Sequence, residues 1–197
     1  GALLVDHHVD LPGGADEVAQ LVVTDTRAAL GPVAAAVYGD PSTALRVVGI
    51  TGTNGKTTTA AMLASILRAS GDQTSVYGTL TGIRTTPEAP ELQQRLAASR
   101  AHGDLSVVME VSSHALTYRR VDGTRFDAAV FTNLGRDHLD LHGSIEEHFA
   151  GKASLFDPRL TVLGVVNADD EHGRRLSAAA PIEIVEFTRA QASDEVV

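Results

Sequence analysis

The chain reads Val47-Val48-Gly49-Ile50-Thr51-Gly52-Thr53-Asn54-Gly55-Lys56-Thr57-Thr58-Thr59 at the point that decides its fold. This stretch starts as an apolar strand, turns at two glycines, and leads through a lysine and hydroxyl residues into a helix. Glycines let backbone N–H groups converge on an anion, and the helix start adds its positive end. We therefore predict a loop that binds the phosphates of a nucleoside triphosphate.

The predicted phosphate contacts are Gly52, Thr53, Asn54, Gly55, Lys56, Thr57 and Thr58. Lys56 is expected to reach the terminal phosphates, and the Thr57 hydroxyl is expected to hold Mg²⁺. The spacing departs from G-x-x-x-x-G-K-[ST], because Ile50 stands where the first glycine belongs. A glycine turn without a ligand is the alternative, but the lysine and threonines that follow favour the phosphate loop.

The composition of the chain argues against several classes of protein. Its 197 residues are 43% hydrophobic but only 4% aromatic, which is typical of a parallel sheet with an aliphatic core. Cysteine is absent, so we expect no disulfide or zinc–thiolate site and a cytoplasmic protein. The net charge of −9 argues against a nucleic-acid partner. No apolar run approaches the roughly twenty residues that span a bilayer, so we expect no membrane association, and we expect a monomer.

From Leu45 onward, valine-rich runs alternate with helical patterns. This alternation predicts an α/β fold with right-handed crossovers, a mostly parallel sheet and helices on both faces. The predicted strands are 45–51, 73–78, 105–111, 127–132, 160–166 and 182–187. The predicted helices are 57–70, 90–102, 113–118, 144–156 and 170–180.

The residues before Leu45 follow another pattern. Ala2–Val5 and Gln20–Thr24 are predicted strands joined by a turn at Pro12-Gly13-Gly14, and Arg27 to Tyr38 is a predicted alanine-rich helix. Gly39-Asp40-Pro41-Ser42 is typical of a linker. The chain starts without methionine inside an apolar run, so we expect a fragment of a longer protein.

Four predicted strands end in polar residues, namely Thr51, Glu110, Asn133 and Asn167. Ligands of open α/β sheets bind beyond the carboxyl ends of the strands, so we expect these four residues along the edge that forms the active site. Glu110 is the candidate for holding Mg²⁺ beside the phosphate loop, and a solvated strand end is the alternative.

The segment after the fourth strand is dense in metal-ligand types. Asp137, His138, Asp140 and His142 have the spacing of a transition-metal site, but the absence of cysteine disfavours that interpretation. Two others remain. The segment is a polar loop that caps the next helix, or His138 alone lies near Mg²⁺ and the phosphates.

Lys152 occupies an apolar position of its predicted helix. That helix opens with the capping box Ser144-Ile145-Glu146-Glu147, and its apolar stripe is Ile145, Phe149, Lys152 and Phe156. Periodicity leaves two interpretations equal. The side chain extends to the surface with its ammonium in water, or it points into the site at the sheet edge.

Two further motifs follow predicted strands. Arg84-Thr85-Thr86-Pro87-Glu88 is a hydroxyl-rich loop suited to anionic or carbonyl groups, or else an ordinary helix cap. Ser112-Ser113-His114 follows Glu110 directly. A serine hydrolase is disfavoured there, because the chain has no G-x-S-x-G elbow and adjacent residues rarely form a catalytic pair.

Together these motifs resemble the Mur ligases, ATP-dependent enzymes that add amino acids to the UDP-sugar precursor of the bacterial cell wall. The shortened phosphate loop of that family accounts for Ile50. The set is most similar to the branch that adds the third residue, onto UDP-N-acetylmuramoyl-L-alanyl-D-glutamate. Five blocks carry the resemblance: 52–58, 84–89, 110–116, 132–140 and 152–156.

The resemblance implies an amide-forming reaction in which ATP phosphorylates the terminal carboxylate of the acceptor and an amine then displaces phosphate. It implies Lys56, Glu110, His138 and Lys152 as catalytic residues. Mg²⁺ would be held by Thr57, Glu110, His138 and Lys152, the last as a carbamate. The UDP-sugar dipeptide would contact Arg84, Thr85, Thr86, Ser112, Tyr118 and Arg120, although some family members have glutamine in place of Tyr118.

The resemblance also divides the chain. Residues 1–44 would be the end of an N-terminal uridine-binding domain, and 45–197 an incomplete central ATP-binding domain of the P-loop type. The C-terminal domain that brings the amino acid would be absent, so we expect the chain alone to be inactive as a ligase. The alternatives are a folylpolyglutamate or cyanophycin synthetase of the same superfamily, a GTP-binding switch protein, and a nucleotide-binding module without catalysis. The GTP alternative lacks its Asn-Lys-x-Asp motif.

Overall fold

The computed structural model describes residues 2–11, 18–82, 84–135 and 144–189. Its strands are β1 Ala2–Val5, β2 Ala19–Val22, β3 Arg46–Thr51, β4 Thr74–Tyr77, β5 Ser106–Glu110, β6 Phe126–Phe131, β7 Thr161–Asn167 and β8 Glu183–Phe187. Its α-helices are α1 Thr26–Val37, α2 Lys56–Ala69, α3 Ala89–His102, α4 Ser113–Thr117, α5 Ile145–Ala153 and α6 Glu171–Ala179. None of the helices in these four ranges is both long and apolar enough to cross a membrane.

Strands β3 to β8 form one sheet of six strands in the order β4-β5-β3-β6-β7-β8. Every neighbouring pair in it is parallel. Strand β3 lies inside the sheet between β5 and β6, and all its residues after Arg46 are buried, as expected for a strand covered on both faces. The predicted α/β fold with a mostly parallel sheet is confirmed.

Side chains that alternate along the strands form two cores, one on each face of the sheet. Ile50 and Val108 pack with Ala60 and Ala64 of α2 on one face. The neighbouring strand residues, such as Val107, belong to a larger core on the other face. The helical residues of that larger core are Leu92, Leu96, Leu116, Phe149 and Leu176. Helices therefore cover both faces, as predicted.

The predicted strands and helices after Leu45 are all present, with their ends shifted by a few residues. The largest shift is in the helix predicted over 144–156, which ends at Ala153 and continues as a 3₁₀ turn over Ser154–Phe156. The Ser154 hydroxyl donates to the Gly151 carbonyl at 2.7 Å, a local bond that competes with regular helix. Such bonds are not visible in hydrophobic periodicity.

The prediction of a linker at Gly39-Asp40-Pro41-Ser42 is wrong, because this segment packs against the rest of the fold. Pro41 and Ser42 begin a 3₁₀ turn and are buried. The Ser42 hydroxyl accepts a hydrogen bond from the Arg125 amide at 3.1 Å, which ties the turn to the start of β6. The turn predicted at Pro12-Gly13-Gly14 lies outside the described residues.

Helix α1 packs against α3, whereas β1 and β2 form a separate parallel pair. Gly31 makes the approach of α1 possible, since a Cβ there would overlap the backbone carbonyl of Asp122. Arg100 of α3 donates to the carbonyls of Tyr38 at 3.2 Å and Gly39 at 2.9 Å, just after α1 ends. The division of the chain into two domains at residue 44 stays a prediction.

We predict that Gly31→Ala destabilises the whole body by roughly 1–3 kcal/mol, because the added methyl group pushes α1 away from Asp122. This loss should exceed the gain in helix propensity that alanine brings. Urea unfolding with Val37→Ala as the control gives the measurement, since Val37 is 75% exposed on the same helix. An unchanged midpoint for Gly31→Ala would show that α1 does not belong to the same cooperative unit.

Candidate active site

The polar residues at the carboxyl ends of the central strands lie together, as predicted. Thr51 ends β3 opposite Phe131, and Ile50 lies opposite Glu110 at the end of β5. The Asn167 side chain donates to the Thr132 carbonyl at 2.9 Å, which joins the end of β7 to the segment after β6. Parallel strands bring their carboxyl ends to one edge, so residues far apart in sequence form one site.

The loop between β3 and α2 has the conformation that its glycines predict. Gly52 has a φ of 148°, and a Cβ there would overlap Thr132 Oγ1. Gly55 has a φ of 88° and immediately precedes α2. Both positions require glycine, the first because of the neighbouring side chain and the second because of its backbone conformation. The first amides of α2, which have no acceptor within the helix, therefore open onto the loop.

The segment after β6 fixes the shape of this loop. The Thr53 amide donates to the Asn133 carbonyl at 2.9 Å, and the Asn54 amide donates to Asn133 Oδ1 at 3.0 Å. The Gly135 amide donates to Thr53 Oγ1 at 2.8 Å. Two of the predicted phosphate-binding residues thus have their amides bonded within the protein, and Thr58 is exposed.

Lys56 and Lys152 are the only two lysines in the sequence, and both meet the same carbonyl oxygen. Lys56 Nζ donates to Gly52 O at 2.8 Å and to Thr53 O at 3.0 Å. Lys152 Nζ donates to Gly52 O at 3.0 Å. The other 14 of the 16 basic residues are arginine (16 − 2), so a count of lysines would have marked both positions from the sequence.

Lys152 points into the site rather than out to water, which decides between the two interpretations left open by periodicity. It is only 2% exposed although it is charged in water. Helix α5, which carries it, is capped by Ser144, whose hydroxyl accepts from the Glu147 amide at 3.2 Å. Burial, with a contribution from the adjacent Lys56 ammonium, lowers the pKa of Lys152 to about 7. The pKa of Lys56 is lowered by burial, which the Glu110 carboxylate partly opposes.

Glu110 is a buried carboxylate that accepts hydrogen bonds on both oxygens. The alternative interpretation, a solvated strand end, is therefore wrong. Glu110 is 2% exposed, and its Oε2 accepts from Thr57 Oγ1 at 3.0 Å. Its Oε1 accepts from the Thr79 amide at 2.9 Å. Gly78 is needed for this placement, because a Cβ at that position would overlap Oε1. Sequence reasoning missed Gly78 and Thr79, although both directly follow β4 at the same edge.

The donors that converge here fit Mg²⁺ better than a transition metal. Thr57 Oγ1 and Glu110 Oε2 are hard oxygen donors, and magnesium is usually bound by one or two carboxylates together with phosphate oxygens and water. Within the described ranges, His, Cys, Asp and Glu nowhere form a metal-binding group of three or more. The described residues do not include the predicted cluster of Asp137, His138, Asp140 and His142. The role predicted for His138 therefore stays a prediction.

The predicted substrate residues lie next to Glu110. The Thr86 hydroxyl donates to the Glu110 carbonyl at 3.0 Å and accepts from the Ser112 amide at 3.1 Å. Thr85 Oγ1 lies 3.1 Å from Thr79 Oγ1. Ser112 Oγ accepts from the Ala115 amide at 3.2 Å as the cap of α4, a structural role that further disfavours a serine hydrolase.

Of the remaining predicted substrate residues, Arg84 and Arg120 pair with the Glu88 carboxylate, and Tyr118 lies beside Arg120. Arg84 Nη1 donates to Glu88 Oε1 at 3.0 Å, and Arg120 Nε forms an ion pair with the same oxygen at 2.8 Å. The Arg120 guanidinium also lies 5.6 Å from the centre of the Tyr118 ring. The structure therefore brings Arg84, Tyr118 and Arg120 together. It adds Glu88 and also Arg27, whose Nη2 donates to Glu88 Oε2 at 3.0 Å, and neither was assigned from the sequence.

Comparison with known families matches residues 50–196 of this chain to the Mur ligase middle domain. The chain belongs to the Mur ligase family. Two curated relatives are both UDP-N-acetylmuramoyl-L-alanyl-D-glutamate–2,6-diaminopimelate ligases. The one from Streptomyces coelicolor is 46% identical over 191 residues, and the one from Streptomyces avermitilis is 47% identical over 191 residues. Each alignment covers 90% of this chain and 38% of the relative, so the chain spans less than two fifths of their length.

Three solved structures share the fold of this chain. A UDP-N-acetylmuramoyl-L-alanyl-D-glutamate–2,6-diaminopimelate ligase superimposes with a TM-score of 0.79 at 28% identity, over 95% of this chain and 40% of that one. MurF from Acinetobacter baumannii gives 0.66 at 27% identity, over 93% and 39%. A Mycobacterium tuberculosis folylpolyglutamate synthase complexed with ADP and AMPPCP gives 0.59 at 17%, over 82% and 46%. The last identity shows a shared fold alone.

For this Mur ligase chain we predict a pH-dependent stability that comes from Lys152. Unfolded Lys152 has its ordinary pKa of 10.5, so between pH 7 and 10.5 the unfolded chain binds a proton that the folded chain has released. The free energy of unfolding should therefore rise with pH in this window, by at most ~1.4 kcal/mol per pH unit. Lys152→Met should lose this contribution and be more stable than the unchanged chain near neutral pH.

Urea unfolding of both proteins across this pH range, in buffer free of carbon dioxide, provides the test. Lys56 is present in both proteins, so the difference between the two curves reports Lys152 together with its electrostatic coupling to Lys56. Parallel curves would contradict a lowered pKa for Lys152.

Proposed function

We propose that this chain is the ATP-binding part of a ligase that joins an amino acid to UDP-N-acetylmuramoyl-L-alanyl-D-glutamate in peptidoglycan precursor synthesis. The observation that carries the proposal is the convergence of Lys56 and Lys152 on Gly52 O beside the Thr57–Glu110 pair. We infer the acceptor from the names of the relatives, which are UDP-N-acetylmuramoyl-L-alanyl-D-glutamate–2,6-diaminopimelate ligases. The same names suggest 2,6-diaminopimelate as the amino acid that is added. We place the reaction in the cytoplasm, where nucleotide substrates are available, and we expect a monomer.

The proposed reaction has two steps. A carboxylate oxygen of the acceptor attacks the terminal phosphorus of ATP, the P–O bond to ADP breaks, and an acyl phosphate results. The amine of the amino acid then attacks the acyl carbon, loses a proton, and expels inorganic phosphate as the amide forms. Both substrates are small molecules.

Lys56 and the first turn of α2 stabilise the negative charge of the transferring phosphoryl group. Lys56 Nζ is already held at the mouth of the loop by two carbonyls, so little reorganisation is needed when phosphate oxygens arrive. Gly55, Thr57 and Thr58 add the amides of the helix start. Thr53 and Asn54, whose amides are bonded to Asn133, keep the loop in its binding shape.

We propose that Thr57 and Glu110 would hold Mg²⁺. Lys152, as a carbamate, and His138 are the further ligands that the resemblance to the family implies. Bound Mg²⁺ neutralises charge on the phosphate oxygens during transfer. Thr79 and Gly78 keep Glu110 aimed at Thr57. The oxygen of a carbamate on Lys152 would match the donor preference of the same cation.

Lys152 is suited to carbamate formation. Only an unprotonated amine attacks carbon dioxide, and burial favours the unprotonated form of Lys152 at neutral pH. The new N–C bond replaces an N–H bond, the proton leaves to solvent, and the side chain becomes an anion. That change replaces repulsion between Lys152 and Lys56 with attraction.

The acceptor is assigned to the surface next to Glu110, with Thr85, Thr86, Ser112, Arg84, Arg120 and Tyr118 as its contacts. Thr86 connects this surface to Glu110 through its hydroxyl, so an acceptor bound there would place its terminal carboxylate near the phosphate loop. Arginine side chains provide two-pronged contacts for carboxylate or pyrophosphate groups.

We predict that Mg²⁺ with ATP raises the melting temperature of this chain and that Lys56→Ala abolishes the shift, because Lys56 is the cation at the loop. Differential scanning fluorimetry measures both. Arg159→Ala is the control, since it removes a basic side chain that is 86% exposed and paired with Asp157. A well-folded unchanged chain with no shift at millimolar Mg²⁺ and ATP would contradict triphosphate binding by this chain.

Carbamate formation is tested with ¹³C-labelled bicarbonate. We expect a lysine carbamate signal in the ¹³C spectrum of the unchanged chain that disappears on acidification and in Lys152→Met. Because the sequence has only two lysines, Lys56→Met is a complete control and should keep the signal. A signal that is lost in Lys56→Met but kept in Lys152→Met would contradict a carbamate on Lys152.

A further inference from the structure

Three arginines converge on the single carboxylate of Glu88. Arg27 Nη2 donates to Glu88 Oε2 at 3.0 Å. Arg84 and Arg120 both meet Glu88 Oε1, at 3.0 Å and 2.8 Å. Three guanidinium groups and one carboxylate leave two positive charges in excess, in a chain whose formal net charge is −9. Within the described ranges, these three arginines form ion pairs with Glu88 alone.

Arg27 comes from a different part of the fold than its partners. It lies in the first turn of α1, which begins after Asp25, whose side chain accepts from the Ala28 amide at 3.0 Å. In addition to Glu88, Arg27 Nε donates to the Tyr118 carbonyl at 2.6 Å, at the end of α4. One guanidinium thus holds together α1, the residue before α3 and the end of α4.

Tyr118 completes the arrangement. The guanidinium carbons of Arg27 and Arg120 lie 5.8 Å and 5.6 Å from the centre of its ring, within the range of cation–π attraction. A guanidinium has five N–H donors. Arg120 uses only some of them, on Glu88 and on the Thr86 carbonyl at 3.5 Å, so it retains donors for an incoming anion.

The proposed acceptor supplies an anion of the required kind. Its terminal D-glutamate has two carboxylates, and the amide consumes only one of them. The second stays charged throughout the reaction and needs a positive partner near the first. The arginine cluster is connected to Glu110 through Thr86, which bonds Arg120 with its carbonyl and Glu110 with its hydroxyl.

We propose that Arg27 is a positioning residue for recognition of this second carboxylate, an inference that rests on the proposed function. By holding Glu88 and the Tyr118 carbonyl at once, it fixes the orientation in which Arg120 and Arg84 meet the carboxylate. Lysine cannot replace it, because one ammonium cannot span the two acceptors with the geometry of a guanidinium.

Isothermal titration of this chain with two probes tests the proposal. One probe is UDP-N-acetylmuramoyl-L-alanyl-D-glutamate, and the other is its D-isoglutamine analogue, in which the second carboxylate is a neutral amide. The unchanged chain should bind the carboxylate form about tenfold more tightly. Arg27→Ala should reduce this ratio to about threefold or less while affinity for the amide form changes less than about twofold.

Matched variants separate positioning from charge and from general stability. Arg100→Ala also removes an arginine that holds α1, through the carbonyls of Tyr38 and Gly39, and should leave the ratio unchanged. Arg27→Lys should recover less than half of the lost discrimination. If Arg27→Ala is unfolded at the assay temperature, Arg27→Gln replaces it.

Equal weakening of both probes by Arg27→Ala, or no change in the ratio, would overturn the positioning role while leaving acceptor binding intact. Full recovery by Arg27→Lys would overturn it as well, because charge alone would then suffice. Failure of the unchanged chain to bind either probe would contradict the assignment of the acceptor to this surface and would overturn the inference with it, whereas the proposed ATP binding is tested separately by the melting-temperature shift.

Discussion

The site depends on the hydrogen bonds that the carbonyl oxygen of Gly52 accepts. This oxygen accepts a hydrogen bond from Lys56 of α2 and another from Lys152 of α5, and these are the only lysines in the sequence. Gly52 reaches this position because it has no side chain to overlap Thr132 after β6. One peptide group therefore fixes the relative placement of β3, two helices and the segment after a neighbouring strand. The remaining residues of the site are arranged around it.

This contact has an electrostatic consequence. Two ammonium groups that share one neutral acceptor repel each other, and burial removes the water that would screen them. Glu110, which is also buried, offsets part of that charge and bonds Thr57. An arrangement of this kind favours a bound anion at Lys56 and a change of charge at Lys152. Triphosphate binding and carbamate formation, as proposed above, would supply these two changes.

The fold was predictable from the sequence, and much of the site was too. Valine-rich runs separated by helical patterns gave the strands and helices, and the rule for parallel sheets put Thr51, Glu110 and Asn167 at one edge. The orientation of Lys152 was not predictable, because helical periodicity places its Cα but not the ammonium at the end of a flexible side chain. Thr79 was not predicted as a site residue, because its hydrogen bond to Glu110 joins residues 31 positions apart in the sequence. Arg27 was not predicted either, because its hydrogen bond to Glu88 joins residues 61 positions apart. Contacts of that range depend on strand order and helix placement, which no local pattern encodes.

A crystal structure of the chain with a non-hydrolysable ATP analogue and Mn²⁺, located by anomalous scattering, would show whether Lys56, Thr57 and Glu110 form a nucleotide and metal site. We expect the terminal phosphate beside Lys56 at the start of α2, with Mn²⁺ bound to Thr57 and Glu110 on the Lys152 side of the loop. A nucleotide bound elsewhere, or Mn²⁺ that contacts neither Thr57 nor Glu110, would contradict this expectation.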